Sequence, residues 1–539
     1  AHDYIAQQLA GFGYEVERLQ CEALIGYPVR AALTVLGGEN IEITANGYSL
    51  SPGTGDEGVI GDLVHVGAGL PANYAGIDVQ GKIVLSDGLA MPAKTLAAGR
   101  AGAIGQIHIN DDHIHEMCIS PVWGTATPET AALLPDVPSV GIARADGERL
   151  KARLAAGPVQ VRLATEPYRA WTAIPTTIAN LPGTEDDRFV LFSGHVDSWH
   201  YGAMDNGTAN ATQLEVARLL AERRGQLRRG VRLAFWSGHS HGRYASSAWY
   251  ADTYWHDLHE RCVCHVNIDS VGANGASVLE DAPTMAETYA FGRQVLADTT
   301  GVDLAYRRIS RSSDQSFWGH GIPTVFASLS EQARDDSATS AALGQLLGGG
   351  GRGGGLGWWW HTTEDTLDKI DPANLVRDAG VYAETLWRLC TQPRLPFGYA
   401  AAADEMAQTL GQYHAAAADR IDLERTRQLA LALGAALRKA RLDALPAAQA
   451  NAAVIDLGHL LIPVNYTRSG PFDQDLALTT PPLPGLAEAA TLGRLDPAGD
   501  DERFLRTRLE RERNRVEHAL RAATRLVHDL NRGDAGTAG

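Results

Sequence analysis

The sequence predicts an α/β fold: a mostly parallel, mixed sheet covered by helices, with an inserted β-rich domain and a C-terminal helical domain. Three observations predict it. From about residue 170 to 395, strand-like runs such as RFVLFSG and VRLAFWSG alternate with helical runs such as NATQLEVARLLAERR. From about 50 to 165, short β-like runs are separated by glycine and proline turns. Beyond 396 the chain is rich in Ala, Leu and Arg, with charges at helical spacing.

These changes of pattern divide the chain into four segments. Residues 1–48 hold one helix and one or two strands that we assign to the N-terminal part of the main α/β domain, and residues 49–165 form the β-rich domain. Residues 166–395 form the main α/β domain, and residues 396–539 form the helical domain. The glycine-rich run 348–357 lacks the ending of a phosphate-binding loop, so we interpret it as a loop that could serve as a lid.

Composition excludes some classes of partner. The chain of 539 residues has a formal charge of -17, which argues against nucleic acid as a partner. It contains no unbroken apolar run of 18 residues, so the sequence does not predict a membrane span. Five irregularly spaced cysteines predict buried thiols and a reducing compartment. The first residues read as an amphipathic helix rather than a signal peptide, so we expect a cytoplasmic protein, although the missing initiator methionine leaves room for upstream residues. The abundant alanine, and arginine in preference to lysine, favour a bacterial source.

Histidine and aspartate residues recur at or just beyond the ends of the predicted strands, and one precedes a helix start. Ligands of open α/β sheets gather at the carboxyl ends of the strands, so these side chains predict one shared site. The residues are His195, Asp197, Asp205, His239, Asp269 and His361.

The residue types indicate a metal. A catalytic zinc needs about three protein ligands and a water, and His195, Asp205 and Asp269 supply three. Asp197 suits a role in orienting the His195 ring through its other nitrogen. His361 is either a fourth ligand or a ligand of a second metal that shares Asp205. We therefore predict one zinc ion, with two as the alternative.

Five motifs resemble those of the zinc aminopeptidase and glutamate carboxypeptidase family, which also contains the transferrin receptor and the glutaminyl cyclases. They are SGHVDSW, GAMDNGT, VNIDSVG, SDQSFWGHGIP and HTTEDT. Residues 50–165 resemble the protease-associated domain of that family, and the helical tail resembles its dimerisation domain. The resemblance implies that Asp205 bridges two metals, with His195 and Asp269 on one side and a glutamate and His361 on the other. It also implies a homodimer.

One motif departs from the family pattern F-x-x-W-x-x-E-E-x-G-x-x-G-S. Here the chain reads FWSGHSHGRYAS, in which Trp236 keeps the frame. His239 stands in place of the first glutamate, the general base, and Ser240 in place of the second, a metal ligand. Trp360 stands where the carboxypeptidase branch has a tyrosine.

We predict an atypical metal-dependent hydrolase that cleaves an amide bond in a peptide or N-acyl amino acid. His239 would be the general base, because a neutral imidazole can accept a proton from water near pH 7. Alternatively, His239 or His241 would ligate the metal. His200, Tyr201 or His361 would assist the oxyanion.

We expect the substrate, a small molecule or a peptide, to contact five residues: Tyr201, Trp236, Arg243, Asp314 and Trp360. Arg243 and Arg311 could pair with a substrate carboxylate, and the alternative for either one is an ordinary surface arginine. Two other functions stay open: a non-catalytic dimeric scaffold like the transferrin receptor, and a one-zinc acyl transferase resembling glutaminyl cyclase.

Overall fold

The computed structural model describes residues 1–336, 340, 352–440 and 442–536, and side chains as far as residue 531. Residues 348–351, four of the ten residues of the predicted lid, lie outside the described residues.

The described strands form one mixed sheet. They are β1 (Glu15–Leu36), β2 (Ile41–Ile43), β3 (Asn46–Gly47), β4 (Val59–His65), β5 (Ile83–Asp87), β6 (Gly105–Ile109), β7 (Ser139–Ile142), β8 (Gln160–Leu181), β9 (Phe189–His195), β10 (Gly230–Trp236), β11 (Cys262–Asn267) and β12 (Thr324–Val325). The order along the sheet is β12-β11-β9-β10-β8-β4-β5-β6-β7-β3, and β1 pairs with β8 and β2. The pairs among β9 to β12 and among β4 to β7 are parallel, while β8 is antiparallel to each of its neighbours. The predicted α/β fold class is confirmed.

Helices cover the sheet and build the C-terminal region, as predicted. The helix Pro372–Thr391 shows a local cause: Asp371 caps it by accepting the N–H groups of Ala373 and Asn374. The α-helices with described bounds are His2–Phe12, Pro92–Arg100, Arg144–Ala156, Ala209–Glu222, Ala245–Thr253, Trp255–Arg261, Tyr289–Thr300, Pro372–Thr391, Tyr399–Ala416, Glu424–Lys439, Ala447–Tyr466, Ala489–Leu492 and Asp500–Gly536.

A long two-stranded ribbon joins the two halves of the sheet. Strands β1 and β8 have 22 residues each and pair antiparallel from Glu15 opposite Asn180 to Leu36 opposite Gln160. The predicted boundary between residues 165 and 166 therefore falls inside β8. A paired strand rather than a loop connects the β-rich segment to the main domain.

The site is positioned by three parallel, fully buried strands. Every residue of β9, β10 and β11 is buried, as their apolar sequences predict for central strands. His195 ends β9 opposite Trp236, the last residue of β10. The carboxyl ends of the three strands therefore meet at one edge of the sheet.

The helix Ala447–Tyr466 is long and apolar enough to cross a membrane, judged by length and composition alone, and no other helix of the described residues passes that test. Its mean hydropathy is 1.2, although Asp456 and His459 interrupt the apolar run. In the structure 56% of its most apolar window is buried against the rest of the protein. All five cysteines are buried and free, as predicted.

Candidate metal centre

The three central strands bring three predicted residues together. His195 ends β9, His239 follows β10 by three residues, and Asp269 follows β11 by two. One potential ligand atom of each lies within 4.8 Å of the others. Strand register therefore assembles this part of the site from distant parts of the chain.

Asp205 and His361 complete the cluster. His195 Nε2 lies 3.1 Å from Asp205 Oδ1 and 3.4 Å from Asp269 Oδ1. The other oxygen of Asp205, Oδ2, lies 2.9 Å from His361 Nε2. The four predicted metal ligands thus converge, and Asp205 lies between the two histidines.

The donor atoms fit a divalent cation. His195 Nδ1–H donates to the backbone carbonyl of Asp197 at 2.7 Å, which directs the Nε2 lone pair towards the carboxylates. His195 Nε2 and Asp205 Oδ1 are buried, and neither has a hydrogen-bond partner despite their 3.1 Å separation. Buried polar atoms rarely lack a partner, and one neutral imidazole with two carboxylates is a donor set that zinc accepts. The arrangement therefore suits an ion between them.

The charges around His195 also favour a bound cation. Burial acts to lower the pKa of His195, but Asp269 and Asp205 raise it well above the usual range. Burial acts to raise the pKa of Asp205, but His195 and His361 bring it well below its usual range. The buried acidic cluster thus attracts positive charge, and an ion that binds there displaces a proton.

The inserted β-rich segment supports the second histidine. His361 Nδ1–H donates to the backbone carbonyl of Glu116 at 2.6 Å. Asp365 accepts the N–H groups of Met204 and Asp205 at 2.8 and 3.0 Å, which holds the loop that carries Asp205. The contribution of Glu116 is absent from the sequence analysis, because a backbone carbonyl leaves no motif.

His239 is held by a buried aspartate. Its Nδ1 lies 2.9 Å from Asp314 Oδ2, and its ring stacks on that of His195 with centroids 3.7 Å apart. The other oxygen of Asp314 accepts a hydrogen bond from Ser247 Oγ at 2.7 Å. Asp314 has 0% exposure, so the prediction that it contacts the substrate is wrong: it lies behind His239 with both oxygens occupied.

Asp197 organises the loop after β10. Its carboxylate accepts the backbone N–H of His239 at 3.2 Å and faces His241 Nδ1 at 3.5 Å. Burial acts to raise the pKa of Asp197, but His241 and the neighbouring histidines lower it to about 2. His241 itself packs against Trp199, with ring centroids 4.2 Å apart, and does not line the cavity. The structure therefore gives His241 a supporting position, and His241 does not join His195, His239 and Asp269 as the alternative metal ligand.

A cavity of about 800 Å³, mouth included, opens over the cluster. Arg243 and Trp360 line it, as predicted for substrate contacts. The β-rich segment adds a wall at 117–118 that the sequence analysis missed. The lining residues are Met117, Cys118, Asp205, His239, Ser240, Arg243, Tyr244, Asp269, Ser270, Pro283, Ser310, Ser312, Ser313, Ala327, Ser328, Leu356, Trp360 and His361.

Three other predicted substrate contacts lie elsewhere. Trp236 has 0% exposure and packs against Tyr250 and Phe317. Tyr201 is 80% exposed and borders a separate groove beside the helix Ala209–Glu222. Arg311 is buried and donates to Gln474 and to the carbonyl of Asp475. The structure does not bring these three side chains to the cavity, because a strand turns alternate side chains to opposite faces and because loop side chains follow tertiary packing.

Comparison with known proteins agrees with this geometry. Residues 176–386 match the model of peptidase family M28, and residues 59–150 match that of the PA domain. The chain contains an M28 peptidase domain. The two matched ranges fall within the predicted main domain and the predicted β-rich segment.

The relatives of this M28 domain are peptidases. The chain is 31% identical over 120 residues to a probable glutamate carboxypeptidase from Zea mays, covering 22% of this chain and 17% of that protein. It is 29% identical over 250 residues to a probable leucine aminopeptidase from Aspergillus fumigatus, covering 46% and 47%. These matches thus span less than half of each relative.

A solved zinc aminopeptidase from Bacillus subtilis shares the fold, with a TM-score of 0.52 at 20% identity over 73% of this chain and 89% of that one. Together the matches place residues 176–386 in a metallopeptidase family whose two relatives above are an aminopeptidase and a carboxypeptidase by name, and the solved structure supports the fold.

Proposed function

We propose that the protein is an amide hydrolase that holds one zinc ion with His195, Asp205 and Asp269 and uses His239 as its general base. One observation carries the proposal. The unpartnered Nε2 of His195 and Oδ1 of Asp205 converge beside an imidazole whose Nδ1 is held by Asp314. The amide of a peptide or of an N-acyl amino acid is the substrate class.

The bound zinc ion would supply Lewis acidity, lowering the pKa of water and polarising the carbonyl. The protein's own part is proton transfer. Asp314 fixes the His239 tautomer with hydrogen on Nδ1, which leaves Nε2 as the acceptor for a proton from water. Asp314 then stabilises the imidazolium until His239 returns the proton to the leaving amine.

Only one complete metal site is proposed. A second ion next to Asp205 Oδ2 and His361 Nε2 would find Ser240, a poor zinc ligand, in place of the glutamate that the resemblance implies. The hydroxyl and carbonyl groups nearby do not replace an acidic ligand. His361 instead positions Asp205 through their 2.9 Å contact.

The alternative role of His239 is as a further metal ligand, since its ligand atom lies close to those of His195 and Asp269. We favour the base because the Asp314 contact resembles the carboxylate–imidazole pair of hydrolases in which histidine carries a proton. The same contact also suits a metal-bound histidine, so the two roles need an experiment.

The experiment combines zinc analysis with an activity screen. Zinc-loaded protein, H239Q and D205N are assayed for bound zinc and for hydrolysis of dipeptides and N-acyl amino acids. We expect H239Q to keep its zinc and lose turnover, and D205N to lose both. Loss of zinc from H239Q would make His239 a ligand, and wild-type turnover without zinc would overturn the proposal. Mass spectrometry separates hydrolysis from cyclisation with release of ammonia, the outcome expected of a glutaminyl-cyclase-like transferase.

Two properties of the whole protein stay predictions. We propose a homodimer, formed through the helical region 396–539, and a cytoplasmic location. Sedimentation of the purified chain tests the first of these.

A further inference from the structure

The metal-centre cavity contains a buried cation without an acidic partner. Arg243 lines the cavity and is 7% exposed. Its Nε has no hydrogen-bond partner, and no Asp or Glu oxygen of the described residues lies within 4.0 Å of its guanidinium. The guanidinium lies over the ring of Tyr244, 4.9 Å from the centroid, and beside the Cys118 thiol. Arginine stays charged at every physiological pH, and a buried charge is costly unless paired.

The nearby carboxylates are already committed. Asp205 and Asp269 line the same cavity but face His195 and, in the proposed enzyme, the zinc ion. Asp314 is enclosed by His239 and Ser247. The counter-charge for Arg243 is therefore expected from the ligand.

The other residues that line the cavity restrict the chemical class of the ligand. Arg243 is the one Lys or Arg among the described lining residues, so it matches one negative charge, and its planar fork matches a carboxylate better than a phosphate dianion. A substrate ammonium would find no free carboxylate, because Asp205 and Asp269 face His195 and no Glu is among the described lining residues. Met117, Pro283, Leu356 and Trp360 provide apolar surface for an uncharged side chain.

We propose that the cavity binds N-acylated amino acids with an apolar side chain and a single free carboxylate, and that Arg243 is the residue that binds this carboxylate. The cleavage of such a ligand rests on the proposed function above, but the recognition of its carboxylate does not.

The test separates binding from turnover. Zinc-loaded protein is titrated calorimetrically with N-acetyl-L-phenylalanine, with its carboxamide, which lacks only the charge, and with glycyl-L-phenylalanine, which adds a free amine. The leucine and alanine series are run in the same way. Release of the free amino acid is followed in parallel. We expect at least one N-acetyl acid to bind about tenfold or more tightly than its carboxamide and its glycyl dipeptide.

Arginine variants test whether Arg243 causes the tighter binding of the acid. We expect R243M to weaken binding of the acid to the level of the carboxamide while carboxamide binding stays unchanged. R293M is the matched control, because Arg293 is exposed and paired with Asp303. Should R243M fail to fold, R243K serves instead: its single ammonium is expected to lower affinity for the acid severalfold and to leave the carboxamide unaffected.

The outcomes are distinct. If no acid binds more tightly than its carboxamide, or if the Arg243 variants keep the preference, Arg243 does not recognise a carboxylate. Tighter binding of the glycyl dipeptides would overturn the N-acylated class. If the acid binds preferentially but no amino acid is released, the carboxylate site is supported and the hydrolase proposal is contradicted. If amino acid is released but the acid does not bind preferentially, the hydrolase proposal is supported and the carboxylate site is contradicted.

Discussion

The buried Asp314 pairs with the partly buried His239, with Oδ2 of the carboxylate 2.9 Å from Nδ1 of the ring, at the position where the family resemblance implies a glutamate base. The pair is part of a longer chain of hydrogen bonds. Ser247 Oγ reaches Asp314 Oδ1 at 2.7 Å and Ser316 Oγ at 3.0 Å, and Trp123 Nε1–H donates to Ser316 Oγ at 2.8 Å. The β-rich segment, through Trp123, thus helps to hold the proposed base.

Replacing Asp314 by asparagine should impair catalysis more than binding. The NH2 group of asparagine can donate to Nδ1 of His239, which favours the tautomer with hydrogen on Nε2, and this tautomer cannot accept a proton from water at Nε2. We therefore expect kcat to fall by about 10²-fold or more with little change in KM or bound zinc. Steady-state kinetics and zinc analysis measure this. S247A serves as the comparison variant, and we expect a smaller fall in kcat because it removes one contact to Asp314 and keeps the carboxylate. Equal activity of D314N and wild type would show that the pair is only structural.

Replacing Asp205 by asparagine should abolish metal binding. The change removes a negative charge from the point where His195 and His361 converge, so we expect the purified variant to lose most of its zinc and its activity. The control is D365N, which keeps the donor set and alters only the support of the Asp205 loop. Retention of a full equivalent of zinc by D205N would contradict the assigned ligand set.

Replacing Ser240 by glutamate should create the second metal site. The new carboxylate would join Asp205 Oδ2 and His361 Nε2, and we expect bound zinc to rise from about one to about two per chain. S240Q, of similar size but neutral, should stay at one. Two zinc ions in the wild-type protein would show instead that other groups already complete the second site.

Acidification should destabilise the fold between about pH 6.5 and 4. Burial lowers the pKa of His265 to about 3 and that of His320 to about 4. Between those values and the ordinary histidine pKa, the unfolded chain binds more protons than the folded one, so the free energy of unfolding falls as pH falls. The slope is up to about 1.4 kcal/mol per pH unit for each residue.

Chemical denaturation from pH 7 to 4.5 measures this slope. H265Q should flatten it, whereas H256Q, at an exposed histidine, should not. Burial raises the pKa of Glu287 to about 7, and this residue opposes the trend because its cost falls on acidification. A stability independent of pH over this range, in both wild type and H265Q, would contradict the expectation.

Much of the site could be predicted because its ligands follow apolar strands directly. His195 and Asp269 stand at or just beyond strand ends, and in a parallel arrangement those ends share one edge. Asp314 and Trp236 could not be placed in this way. Trp236 ends its strand with the side chain in the core, and Asp314 lies in a loop 75 residues from the histidine it contacts.

The sequence by itself determined the fold class and the side chains that converge at the candidate metal site, because strand ends and short motifs are local properties of the chain. Tertiary structure alone decided that Asp314 supports His239, that the carbonyl of Glu116 orients His361, and that Arg243 faces the cavity with no acidic partner among the described residues. Such relations depend on close contacts, such as 2.9 and 2.6 Å for the first two, between segments far apart in the chain. Packing of the whole molecule sets those distances, and no local pattern encodes them.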